Sequence, residues 1–196
     1  MFTFSGHFSN FTERLARLSL AAAEIFGGIE HEETCRLRLN LSILLSNRGD
    51  YAESEIFTRR GLAIAEKVFG VGQTTGAYIL QLASLRSKQD DYEEASLLMR
   101  RALNIFENES DPRGKKLFID GLHEFGLLHL DMGDSEAAKL YLQRALATAE
   151  KIYGSENLLV SRLLNSLGEL LRWKHDFIGA EVLFIRGLDV CAKISM

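Results

Sequence analysis

Proline is nearly missing: Pro112 is the single one in 196 residues. Long structureless loops and disordered tracts collect proline, so its scarcity beside plentiful Leu, Ala, Glu and Arg predicts an almost continuously helical chain. Cysteine is scarce as well. Cys35 and Cys191 lie far apart and neither has a C-x-x-C neighbour, which disfavours a disulfide framework or a zinc site and makes a reduced compartment, the cytoplasm, the expectation. There is no basic excess. A net charge of -4 and a pI near 5.8 weigh against nucleic acid as a partner, because such domains carry a basic stripe that displaces counterions from phosphate. Long apolar runs are missing too. The N-terminal "MFTFSGHFSNF" is aromatic but has neither a basic n-region nor an uninterrupted apolar stretch, so it reads as neither signal peptide nor membrane span. Without a secretory signal, "NFT" and "NES" are chance matches to the glycosylation pattern.

Signatures of catalysis are also wanting. No G-x-S-x-G, H-E-x-x-H or G-x-x-x-x-G-K-[ST] occurs. His123 and His129 are six residues apart, on different faces of a helix rather than the shared face that two metal ligands need. The expectation is therefore no enzyme, no cofactor and no metal. "VFGVGQTTGAY", Val68 to Tyr78, has the glycines of a phosphate loop, but only an amphipathic helix precedes it, and a dinucleotide fold needs a strand there. Gly70 reads instead as the left-handed stop of a helix, with a threonine of the same stretch as N-cap of the next.

What is present is a repeat. With 46% hydrophobic and 26% charged residues the composition is that of an ordinary globular chain. The segments "GDYAESEIFTRRGLAIAEKVFG", "DDYEEASLLMRRALNIFENES", "GDSEAAKLYLQRALATAEKIYG" and "HDFIGAEVLFIRGLDVCAKIS" are variants of one another. Their aspartates Asp50, Asp91, Asp134 and Asp176 are 41, 43 and 42 residues apart, a period that signals a solenoid. Each unit has two stretches with apolar residues at helical spacing, such as Leu37, Leu41, Leu44, Leu45 and then Ile56, Phe57, Leu62, Ile64. A tight polar link joins the two, so each unit reads as a helical hairpin, helix A then helix B.

These residues resemble the tetratricopeptide repeats, whose pattern is W-x2-L-G-x2-Y, then A-x3-F, then P. Leu167-Gly168 with Ala180 and Phe184 carry it best, in the fourth unit. Phe125-Gly126 with Ala138 and Leu142, and Leu82-Ala83 with Ala95 and Met99, hold the same places in the third and second; Leu41-Ser42 with Ser54 and Thr58 make the first the most divergent. The tryptophan and proline places are not kept, and the period exceeds the usual length by about eight residues, or about one extra turn per helix. In that longer form "LNLSILL" and "RALATAEKIYG" resemble the repeats of kinesin light chains and nephrocystin-like proteins. The resemblance implies an all-α fold, a right-handed α-solenoid of antiparallel helix hairpins. Its expected parts are a half repeat at 11–28, helix B only, and full repeats at 33–70, 74–108, 115–154 and 157–196. Around Pro112, "ENESDPRGKKLF" is the place where the array's geometry is expected to be irregular.

Function in such arrays lives on the concave wall of successive helices A, where a peptide or a partner's helix lies along several repeats. By resemblance to peptide-binding members, two places per helix A matter: Arg36 and Asn40, Ala77 and Gln81, Asp120 and Glu124, Arg162 and Ser166. Asp120 and Glu124 oppose a clamp for a chaperone's C-terminal carboxylate. The expected groove is basic at its start, acidic in its middle, and basic again at Arg162 and Arg172, which suits a protein or peptide segment of mixed charge. Trp173 is either an anchor for that segment or packs under the turn "KHDF". An arginine recurs at one phase of helix B, at Arg60, Arg101, Arg144 and Arg186, and reads as a structural residue paired with nearby carboxylates. Neither end carries an evident polar cap. Phe2, Phe4 and Phe8 at one end, and Ile185 at the other, make a homodimer through the ends the alternative to an adaptor. A regulatory repeat domain of a larger protein fits both readings.

Overall fold

The structure is a computed structural model that describes residues 4–194, with side chains described from Phe11 onward. Phe2 lies outside the described residues, as do the side chains of Phe4 and Phe8. The described residues form helices and no strand, in two compact units, Met1–Glu109 and Ser110–Met196.

The first unit holds α1 (Phe4–Gly27) and two hairpins, α2 (Glu32–Arg48) with α3 (Tyr51–Phe69) and α4 (Gln73–Ser87) with α5 (Tyr92–Glu107). The second unit holds the hairpins α6 (Pro112–Asp131) with α7 (Ser135–Tyr153) and α8 (Leu158–Trp173) with α9 (Phe177–Ile194). Helix α1 packs on α2, α3 on α4, and α7 on α8. In each hairpin the even-numbered helix is helix A and the following one helix B.

The four hairpin turns share one backbone solution. Gly49, Asp90, Gly133 and His175 all have positive φ, and the aspartate after each donates its N–H to the carbonyl five residues back, at 2.8–3.0 Å. This is the helix-stopping bond pattern that a left-handed residue permits. Asp91, Asp134 and Asp176 then accept from the backbone N–H three residues on, capping helix B, whereas Asp50 makes no such bond and lies 3.5 Å from Arg48 Nε instead.

Inside each hairpin, helix A approaches helix B where its residue is small. A Cβ built on Gly126 would lie 2.8 Å from Leu142, and one on Gly168 would lie 2.6 Å from the Phe184 ring. The first hairpin differs: Ser42, Ser54 and Thr58 stand at those places and form a buried hydroxyl cluster. Ser42 Oγ is 3.0 Å from Ser54 Oγ and 2.5 Å from Thr58 Oγ1. Ser54 Oγ donates to the Ser42 carbonyl at 2.7 Å, and Thr58 Oγ1 to the Ser54 carbonyl at 2.8 Å. Each hydroxyl is therefore satisfied, as burial requires.

Three local expectations need correction. Helix α1 begins at Phe4, upstream of residue 11. Pro112 opens α6 behind an Asp111 cap that accepts from Arg113 and Gly114, because a proline at the first helical position has no N–H to waste, so the break is shorter than its composition suggests. Gly70 has φ 66 but ψ −146, positive yet not left-handed helical, and α4 starts behind Gly72 with no side-chain cap. Thr75 lies inside α4 and donates its hydroxyl to the Gly70 carbonyl at 2.6 Å, fastening the link between hairpins.

Candidate functional site

In the first unit, α2 exposes Arg36 and Asn40 on one side. The Arg36 guanidinium is held by Glu33 through bonds of 2.9 and 2.5 Å. The corresponding pair on α4 does not reach solvent: Ala77 is buried, and Gln81 is 9% exposed with its Nε2 buried and without a hydrogen-bond partner. Helix α4 packs against α2, α3 and α5 and is buried nearly all round, which a side chain at these places cannot escape. Ala77 and Gln81 are thus part of the packing.

In the second unit the chosen residues meet. Asp120 on α6 accepts from Lys116 Nζ at 2.7 Å and from Arg162 Nη2 on α8 at 2.6 Å. Its charge is met by two cations, so the expected acidic middle is a paired cluster. His123, one turn along, is buried and shares a 2.8 Å hydrogen bond between its Nε2 and Ser166 Oγ. Burial pushes its pKa down to about 4, Arg162 lowers it further and Asp120 opposes both. The imidazole is neutral at pH 7, and Ser166 is fixed from two sides, since its hydroxyl also reaches the Arg162 carbonyl at 3.2 Å. Glu124 is half-buried, 3.9 Å from His123 Nδ1. Sequence reasoning set His123 aside as a metal ligand and missed that it hydrogen-bonds Ser166. His129 stacks on Tyr141 with centroids 5.3 Å apart.

Arg162 and Arg172 stand apart on α8. Arg172 is ten residues beyond Arg162, on a different face, and bonds Glu169 at 2.6 and 3.0 Å. Trp173 is 76% exposed at the end of α8 and does not pack under the turn. Ile185 is exposed, in a stripe on α9 with Ile178, Val182 and Leu188.

Beside this cluster lies a groove of 970 Å³ between α8 and α9. Leu158, Arg162, Asn165 and Glu169 line one wall at intervals of four, three and four residues, and Phe184 and Leu188 line the other. Arg162 joins the groove to the Asp120 cluster. The groove is a property of space between helices, and among the predicted residues only Arg162 signalled it.

No curated protein matches the sequence. Among solved structures, the fold is similar to a variant form of the TPR-like repeats assigned to a Podosopora anserina kinesin light chain, with TM-score 0.70 and 16% identity over 97% of this chain and 90% of that one. It is similar to BtubC (BKLC) from P. vanneervenii, with TM-score 0.68 and 21% identity over 94% of this chain and 71% of the other, and to MamA, with TM-score 0.57 and 15% identity over 97% and 93%. The family model of the tetratricopeptide repeat matches residues 34–73 and 120–158. Those are the first and third repeats, not the fourth. Their shared "AEKVFG" and "AEKIYG" endings are what the second and fourth lack, so the first is nearer the family than its Ser42, Ser54 and Thr58 suggest. Residues 34–73 and 120–158 thus match the tetratricopeptide repeat in sequence, and the fold is that of solved tetratricopeptide-repeat solenoids.

Proposed function

We propose that the chain is a non-catalytic adaptor of the cytoplasm that binds an extended or helical segment of a partner protein along its helix A surfaces. Tetratricopeptide repeats generally bind protein partners. The observation that carries the reading is the α8–α9 groove, whose apolar walls are rimmed by Arg162, Asn165 and Glu169 and whose size suits an amphipathic segment of mixed charge. Arg36 and Asn40 in the first unit, and Asp120, Glu124, Ser166, Arg172 and Trp173 in the second, are the further polar and aromatic contacts on offer; the buried Gln81 is not. Affinity capture followed by titration of the purified partner tests this. Arg162→Glu combined with Leu188→Glu is expected to weaken binding at least tenfold while Arg101→Gln leaves it unchanged, and the reverse pattern removes the groove from the interface.

A second reading, self-association through the ends, is favoured by α1. Phe11, Leu15, Leu18 and Ile25 are exposed with Ala22 between them, at alternating intervals of four and three residues. That spacing is a coiled-coil seam, and Phe4 and Phe8 continue it in sequence. Sedimentation against concentration decides: a dimer dispersed by Leu18→Glu or Ile185→Lys supports this reading, and a strict monomer removes it.

A further inference from the structure

Two arginines of helix B repeat a single bond. Arg101 Nη2 lies 2.7 Å from Glu66 on the preceding helix B, and Arg186 pairs in the same way with Glu150. For Arg60 on α3 the matching carboxylate is Glu24 on α1, which stands 42 residues before Glu66, at the same phase of the repeat. Glu24 is taken. Its Oε1 accepts from Arg38 Nη2 on α2 at 2.7 Å, and Arg60 has no partner among the described residues.

The cause lies in α2. Arg38 is 4% exposed and occupies a core place that Ile79, Leu122 and Leu164, all fully buried, hold in the other three hairpins. A buried guanidinium without a carboxylate is costly by several kcal/mol, so Glu24 is drawn to it. Arg38 also lies against the Tyr78 hydroxyl, which donates to the Cys35 carbonyl at 2.5 Å and whose pKa is held well above the ordinary phenol value by burial. Even so, its Nη1 is buried with no hydrogen-bond partner.

Arg38 and Arg60 line the same groove, of 610 Å³, on the side of α2 opposite Arg36 and Asn40. Leu20, Leu41, Phe57 and Ile64 give it apolar walls, and the Glu24 carboxylate, its charge met by Arg38, lines it as well. Arg17, at its edge, is already engaged by Glu13 and Glu53, at 2.7 Å each. We infer that this groove binds a free carboxylate with a short aliphatic tail, the carboxylate on the unpaired Arg60 guanidinium and the tail on Leu20, Phe57 and Ile64. A guanidinium recognises a carboxylate in a two-pronged arrangement, and the volume is within the range of small-ligand sites. Arg38 is the positioning residue: it keeps Glu24 away from Arg60.

Calorimetric titration of the purified chain with octanoate tests the assignment. Binding is expected to weaken at least tenfold in Arg60→Gln, which removes the cation from an exposed position, and at least tenfold in Arg38→Leu, which restores the residue type of the other hairpins and returns Glu24 to Arg60. Octanol is expected to bind at least tenfold more weakly than octanoate, and Arg101→Gln to match the unaltered chain. Absence of octanoate binding, equal binding by Arg60→Gln, or equal binding of octanol overturns the proposal. Tighter binding of acetyl-Leu-Glu-Leu-amide than of octanoate overturns it in favour of a protein segment. Arg162→Glu leaves octanoate binding unchanged, so failure here is separate from failure of the α8–α9 groove.

Discussion

The hairpin α2–α3 and the hairpins of the second unit place different chemistry at the same positions. Where α6–α7 has Leu122, Gly126, Ala138 and Leu142, α2–α3 has Arg38, Ser42, Ser54 and Thr58, all buried. One seam is hydrocarbon closed over glycine; the other is a set of hydroxyls and a guanidinium closed by hydrogen bonds. Both give the same backbone, so the repeat needs a small residue on helix A and a filled seam, not apolarity as such. A polar seam depends on its partners. In the first hairpin Glu24 from outside the hairpin supplies the carboxylate for Arg38, which ties α1 to α2 more specifically than apolar packing alone.

Moving one residue between the seams is the strongest way to break the comparison. Leu122→Arg puts a guanidinium where no equivalent of Glu24 has been recruited and is expected to cost about 4 kcal/mol or to prevent folding, read by urea unfolding, whereas Arg38→Leu is expected to stay within about 1 kcal/mol of the unaltered chain. Acid sharpens it next. His123 has its pKa depressed in the folded state, so the unfolded chain binds the extra proton, and stability is lost as pH falls from about 6.5 towards 4. The loss attributable to His123 is about 3 kcal/mol by pH 4 and is expected to vanish in His123→Gln. Adding a methyl group comes third. Gly168→Ala forces the Phe184 ring aside and is expected to cost about 1–3 kcal/mol, while Ser42→Ala in the polar seam costs about 1 kcal/mol through its lost bonds to Ser54 and Thr58, both measured by chemical denaturation. The smallest effect is a gain. Asp90 and His175 hold φ 61 where Gly49 and Gly133 stand in the other turns, so Asp90→Gly or His175→Gly is expected to add about 0.5–1 kcal/mol, seen as a higher Tm.

The fold was legible because its signal is redundant: Asp50, Asp91, Asp134 and Asp176 recur with the apolar spacing of two helices, four times over. Boundaries were less so. Pro112 looked like part of a break and is a helix start, and a threonine was expected to cap α4, which starts behind Gly72 while Thr75 is a fastener inside it, since a single residue has no second copy to correct it. The site was legible least. Arg162 and Asp120, expected in separate basic and acidic stretches, form an ion pair, and Gln81, chosen by the same rule, is buried, because the covering of α4 by three neighbouring helices is a fact about packing in space. The diversion of Glu24 from Arg60 to Arg38 is likewise invisible along the chain. It depends on which of two arginines lies nearer in the folded protein.

The four hairpin turns carry one further implication. Gly49-Asp50, Asp90-Asp91, Gly133-Asp134 and His175-Asp176 make the same bend with the same backbone bond, whatever chemistry fills the hairpin behind it. The turn therefore works as an interchangeable joint. A lineage that copies or exchanges whole hairpins at this joint keeps helix register without adjusting the seams, which leaves each seam free to drift towards its own use, as the first one has.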